Sequence, residues 1–179
     1  ESIKKIAKYA DAFTVTLFAS LDPEFYKKFL EVQSVEPIFD VLKQIKKQRT
    51  HLEITNLIVP QFGDDVEQCR KLSQWLSSEL DPEMPFHILQ FYPDDRFPDL
   101  PITPVSTLEQ CADIARKTGL RYVYIGNVPG HDADNTRCPK CGELLIERAG
   151  FRILRNSLLK GSCPKCSTAI PGVWVPAGQ

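Results

Sequence analysis

Several common signatures of function are missing from this sequence. It has no Ser-His-Asp order, no HExxH, no GxGxxG and no P-loop, so four large classes of chemistry have no motif to rest on. No apolar run approaches the roughly 20 residues that a membrane span needs, and the opening ESIKKIAKYA has no hydrophobic signal region. These absences read as a cytoplasmic chain without a membrane partner. An excess of one charge is lacking too. Against 22 basic residues stand 23 acidic ones, so no polyanion, and no nucleic acid, is expected as a partner. Methionine is reduced to Met84, and the first residue is Glu1. Ile3, Ile6, Ala7 and Ala10 follow at helical spacing, so the opening reads as the tail of a helix under way and the chain as a piece of a longer one. Of the six cysteines, Cys69 and Cys111 stand alone on apolar helix faces and read as small hydrophobes. The other four form two CPKC pairs, which is not the arrangement of a secreted disulfide framework.

What is present is a strand-then-helix unit, repeated. With 42% apolar residues among 179, the chain can bury one core and carry a small appendage. The segment AFTVTLFA (12–19) is β-branched and aromatic, and Asp22-Pro23 after it is an N-cap followed by a first-turn proline, opening a helix through Leu30. Ile38, Val41, Leu42 and Ile45 recur at helical spacing. LEITNLIV (52–59) is a second strand, and Asp64 or Asp65 caps a helix facing inward with Val66, Cys69, Leu72, Leu76 and Leu80. FHILQFY (86–92) is a third strand, followed by a proline-rich loop. Ser106 and Glu109 match a capping box for a helix ending at Gly119, and Tyr122 to Ile125 is a fourth strand. Strands separated by helices lie parallel, and strands this continuously apolar are expected to be covered on both faces. The class is α/β, either a small open sheet or part of a larger (β/α) barrel, since four parallel strands cannot close one.

The CPKC pairs carry the clearest chemistry. Each sets two thiolates on a tight turn suited to tetrahedral coordination. Cys138 with Cys141 and Cys163 with Cys166 are separated by residues that read as short strands, ELLIE and FRILR. Gly142 frees the backbone to turn beneath the ion. The reading is a closed four-cysteine zinc ribbon, in which Zn2+ supplies folding free energy to a segment with little core. The same geometry would hold iron. Domain limits are placed at 1–130 and 131–179.

Ligands of parallel α/β folds lie at the carboxyl ends of the strands. The candidates there are Ser20 and Asp22; Asn56 with the loop from Val59-Pro60 to Asp64; His87 with Asp94 and Asp95; and the run Gly126 to His131. Asn56 and His87 stand out as polar residues inside apolar strands, where burial without a partner costs about 1–3 kcal/mol. Each is also compatible with a satisfied core residue. Asp64 and Asp65 read as caps, and His131, Asp132 and Asp134 as solvated loop.

Taken together, ITNLIVP (54–60), FHILQFYPD (86–94), LRYVYIGNVPG (120–130), CPKCGELLIERAGF, the second CPKC and IPGVW resemble one family over nearly the whole chain. They are similar to the C-terminal half of radical S-adenosylmethionine proteins related to pyruvate formate-lyase activating enzyme, in the subgroup encoded beside Memo and AMMECR1 proteins. The resemblance implies the later strands of a partial, TIM-like (β/α)6 barrel followed by the ribbon. In such enzymes a CxxxCxxC loop holds a [4Fe-4S] cluster, and cleavage of S-adenosylmethionine gives a 5′-deoxyadenosyl radical that abstracts hydrogen. No CxxxCxxC occurs here, so the resemblance implies cluster and S-adenosylmethionine in a full-length parent only, with this chain inactive by itself. By position it places Asn56 and His87 as contacts to S-adenosylmethionine. It also implies protein partners of the Memo and AMMECR1 type. Two departures are visible: Gln61 replaces the glycine of the family's VPG segment, and Thr16-Leu17-Phe18 replaces Asp-Leu-Lys.

Two other readings compete with a fragment of such an enzyme. One is a metal-stapled protein-interaction module without catalysis, and the other a rubredoxin-like electron carrier. A half barrel also leaves a strand edge open, so the isolated chain is expected to dimerise or aggregate.

Overall fold

A computed structural model describes residues 2–48 and 50–174 of the chain. They divide into two compact units between Val128 and Pro129.

The first unit runs α1 (Ser2–Ile6), β1 (Ala12–Phe18), α2 (Pro23–Phe29), α3 (Glu36–Lys46), β2 (His51–Ile58), α4 (Val66–Trp75), β3 (Phe86–Gln90), α5 (Val105–Lys117) and β4 (Val123–Gly126). The strands form one parallel sheet in chain order, β1-β2-β3-β4. Right-handed crossovers in that order set successive helices on the same side of the sheet. The core lies there. Leu17, Ile54, Ile58, Ile88 and Ile125 are buried, as are Leu42, Leu72 and Leu108 from the helices.

The other face is different from expectation. Burial in β2, β3 and β4 alternates strictly, with every second residue half-exposed, so the described residues cover one face only. Register aligns a row across all four strands on the uncovered face: Thr16, Thr55, His87 and Tyr124. Threonine and tyrosine favour strands as readily as valine does, so the row passes for apolar in a one-dimensional pattern.

Helix ends follow local chemistry. Asp22 caps α2 by accepting from the Phe25 amide, with Pro23 in the first turn. Asp65 caps α4 through the Glu67 and Gln68 amides. The helix then widens into a π-helical turn, Leu76–Leu80, before Asp81. The expected Ser106–Glu109 capping box does not form. Helix α5 starts at Val105, because the Pro104 carbonyl already accepts from Thr107 and Leu108.

The second unit holds an antiparallel sheet in the order β5-β6-β7: β5 (Thr136–Arg137), β6 (Leu144–Ala149) and β7 (Arg152–Asn156). Leu145 and Ile146 of β6 are buried. The tail folds back on its own unit. Ile170 is buried, its amide donates to the Gly161 carbonyl, and the Trp174 indole donates to the Ile170 carbonyl at 2.9 Å. A Cβ at Gly161 would stand 2.3 Å from the Trp174 ring, which explains that glycine.

Candidate functional site

The two CPKC turns are built alike. The Cys138 amide donates to the Glu143 carbonyl at 2.8 Å and the Cys163 amide to the Thr168 carbonyl at 2.9 Å. Gly142 and Ser167, each one residue past the second cysteine of its turn, donate to the first cysteine's carbonyl at 2.9 Å. Both have left-handed backbones, φ +74° and +57°. Stacking two such turns brings all four sulfurs within 4.8 Å of one another. Cys138 and Cys166 lie 3.5 Å apart, and Cys141 and Cys163 lie 3.7 Å apart. A tetrahedral zinc–thiolate centre has sulfur–sulfur edges of about 3.8 Å, so the set fits a metal ion. The thiols do not behave as four equals. Hydrogen bonding from Thr168, whose hydroxyl lies 3.2 Å away, draws Cys166 down to about 6. The Glu143 amide favours the Cys141 thiolate, yet desolvation and the neighbouring sulfurs together outweigh it and push that thiol up to about 12. Several thiolates at this spacing need a cation between them.

In the first unit the strand ends are organised around an unusual turn. Ala19, Ser20 and Leu21 all have left-handed backbones, φ +47°, +50° and +61°, and all are buried. Asn56 holds the turn. Its Oδ1 accepts from the Ser20 amide and its Nδ2 donates to Ser20 Oγ, both at 3.1 Å. Ser20 Oγ donates in turn to the Gly63 carbonyl at 2.8 Å. A Cβ at Gly63 would lie 1.9 Å from the Ala19 carbonyl carbon, so only glycine admits the close approach. Asn56 is 1% exposed, sits on the helix-covered face, and is engaged through both ends of its amide.

His87 lies on the uncovered face. Its Nε2 is 3.0 Å from Glu53 Oε2, while His51 Nε2 is 2.9 Å from the other Glu53 oxygen. The ring stacks on Tyr124 with centroids 4.9 Å apart. Hydrogen bonding from His87, against partial burial and with help from His51, holds the Glu53 carboxyl down to about 2. Reading along the chain misses Glu53 and His51. The signal lies in the alternation of HLEITNLI, which puts His51, Glu53 and Thr55 on one side of a strand. Beside them the Thr55 hydroxyl donates to Thr16 Oγ1 at 2.9 Å.

Past the carboxyl ends of the strands opens a cavity of about 480 Å³ lined by Phe18, Phe25, Phe29, Leu57, Val59, Gln90, Phe91, Tyr92, Phe97 and Asn127, with Lys28, Asp94 and Arg96 among its polar groups. The Lys28 ammonium stands 4.8 Å from the Phe29 ring centre. The Arg96 amide, with its guanidinium, holds Asp94 below the ordinary aspartate range. Asn127, at φ +63°, donates to the Gln90 carbonyl and accepts on its own carbonyl from the Tyr92 hydroxyl. Neither Asn56 nor His87 lines this cavity. His131 Nδ1 accepts from the Ala133 amide in a short turn, and Asp132 pairs with Arg137, both within the second unit.

Cys69 and Cys111, expected as separate small hydrophobes, form a disulfide that ties α4 to α5 across a sequence separation of 42. The helices are neighbours only once the sheet has formed, and spacing along the chain carries no sign of it. No helix among the described residues is long and apolar enough to cross a membrane.

No protein-family model matches the chain. It is 40% identical over 162 residues to an uncharacterized protein of Methanocaldococcus jannaschii, an alignment that takes in 89% of this chain and 48% of that protein. The chain therefore spans about half the length of that curated relative. Among solved structures it is similar to a domain of pyruvate-formate lyase-activating enzyme from Bacteroides vulgatus, with a TM-score of 0.60, 17% identity, and coverage of 70% of this chain and 73% of that one. At that identity the likeness establishes the fold: the parallel α/β arrangement of this chain is the one found in the activating-enzyme domain.

Proposed function

We propose that the chain is the later portion of a radical S-adenosylmethionine enzyme of the activating-enzyme type, with a structural zinc centre at Cys138, Cys141, Cys163 and Cys166. The observation that carries this reading is the fold likeness, taken with a cavity at the carboxyl ends of a singly wound parallel sheet. The residues present suit a cofactor with a planar base and a charged tail. Phenylalanine rings from β1, α2 and the segment after β3 offer stacking surface, Asp94 offers a carboxylate to a sulfonium or ammonium, and Gln90 and Asn127 offer amides. The cavity falls in the usual size range for small-ligand sites, about 300–1,000 Å³. In this proposal His87 acts from the uncovered face, held by Glu53, and Asn56 acts by keeping the left-handed turn that carries Phe18 and α2. Phe18, where the family has lysine, makes the cavity more apolar.

When bound, the cluster and S-adenosylmethionine would supply hydrogen abstraction, and the cluster would be held by a CxxxCxxC outside this chain. The chain alone is then inactive. The test is to express it with the upstream part of its gene, reconstitute with iron and sulfide without oxygen, and assay 5′-deoxyadenosine. Formation of the nucleoside supports the reading, and an upstream segment without CxxxCxxC ends it. Elemental analysis of the chain alone should find one zinc per molecule; one iron, with the colour of a rubredoxin, would replace the zinc assignment by an electron-transfer one.

A further inference from the structure

We propose that the outer edge of β7 in the second unit is a docking site for an acidic, extended segment of a partner protein. Among the described residues β7 pairs with β6 on one side only, so its other edge presents backbone donors and acceptors with no strand beside them. All five of its residues are exposed. Phe151 at the hairpin turn is fully open to solvent, Ile153 is 63% exposed and Leu154 54%. Natural proteins usually blunt such an edge or cover it, and apolar side chains gathered on one are a mark of an interaction surface.

The chemistry of the edge selects the occupant. Between Glu147 and Lys160 there are four basic residues against one acidic one, in a chain whose net charge is −1. Two basic groups elsewhere in the unit do have acidic partners, Arg137 on Asp132 and Lys165 near Glu143. Arg152 and Arg155 have no ion-pair partner among the described residues. The ladder sets Arg155 opposite Glu147 and Arg152 opposite Ala149, and Ile153 opposite Arg148, with a bulge at Leu154, so Arg152 and Arg155 share one face of the strand and Ile153 stands on the other. A strand in which single acidic and aliphatic residues alternate would set its carboxylates beside the arginines and its aliphatic groups beside Ile153 while its backbone satisfies the edge. A second copy on the same edge would set arginines against arginines. Single-stranded nucleic acid would want stacking surfaces, and Phe151 is the sole aromatic ring among residues 147–160. This surface stands independently of the radical chemistry proposed above.

The test uses the intact, metal-loaded chain and a short fluorescent peptide alternating Glu or Asp with Val or Ile. Expected are saturable binding by anisotropy, slowed hydrogen exchange at the outward amides of β7, and about tenfold weaker binding for Arg152→Glu/Arg155→Glu, with metal content unchanged. Both arginines are exposed, so the variant should fold; Ile153→Lys, which weakens binding through the apolar contact, is the second probe. Lack of saturable binding overturns the proposal, as does equal affinity for a charge-reversed peptide. Preference for a poly-dT oligonucleotide would reassign the edge to nucleic acid, and dimerisation abolished by Ile153→Lys would reassign it to self-association.

Discussion

Asn56 shows how one amide can hold a strained stretch of backbone. Three consecutive left-handed residues, each costing on the order of 1 kcal/mol or more outside glycine, persist because Asn56 and Gly63 hold Ser20 from both sides. Asn56→Ala leaves the buried Ser20 amide without a partner and should destabilise the first unit by about 2–3 kcal/mol in denaturant unfolding; a variant of unchanged stability would remove this role. Two other positions run the opposite way. Gln61 and Ser167 adopt φ +71° and +57°, so Gln61→Gly and Ser167→Gly should each stabilise by about 0.5–1 kcal/mol, measured as a rise in melting temperature.

Elements meet through their faces, and two contacts between elements lend themselves to measurement. On the uncovered side of the sheet, Glu53 of β2 joins His51 to His87 of β3. Its carboxyl titrates near 2 in the fold and at about 4.3 in an unfolded chain. The depressed value means that its contribution is fully present above the unfolded pKa and is lost as pH falls through the folded one. Denaturant midpoints should therefore show the gap between the protein and Glu53→Gln shrinking between about pH 4.5 and pH 2. On the covered side, the Cys69–Cys111 disulfide closes a loop across 42 residues of separation between α4 and α5. Chain-entropy reasoning gives such a loop about 4 kcal/mol. Cys111→Ser should lower stability by up to that amount under oxidising conditions and match the parent under reducing ones, with intact mass confirming the pairing.

At the scale of the whole molecule, the two units rest on different sources of stability. The first buries leucine and isoleucine between sheet and helices. The second has few fully buried side chains, among them Leu145, Ile146 and Ile170, beside Cys138 and Cys163, so an ion held by the four cysteines, as proposed, would be a large part of what folds it. A strong chelator, or Cys166→Ser, should unfold residues beyond Val128 while the first unit keeps its melting transition. Proton NMR reads the two separately. A single shared transition would mean that the units fold as one.

Much of this molecule is legible along the chain. Element order follows from local signals: Asp22-Pro23 and Asp65 as helix starts, β-branched runs as strands, and the CPKC repeat as a turn that gathers thiols. Such features act over a few residues, where sequence neighbours are also spatial ones. Other features depend on which segments become neighbours. Whether Asn56 or His87 faces the helices is a question of which side of a pleat is covered, and a strand with polar residues in both rows does not answer it. The left-handed turn needs Gly63 pressed against Ala19, the disulfide needs α4 beside α5, and Glu53 reaches His87 only in the β2–β3 register. The order of strands and helices and the four-cysteine pattern are thus written in one dimension. Which polar side chains are structural and which are presented is settled in three, because burial is a property of packing between distant segments.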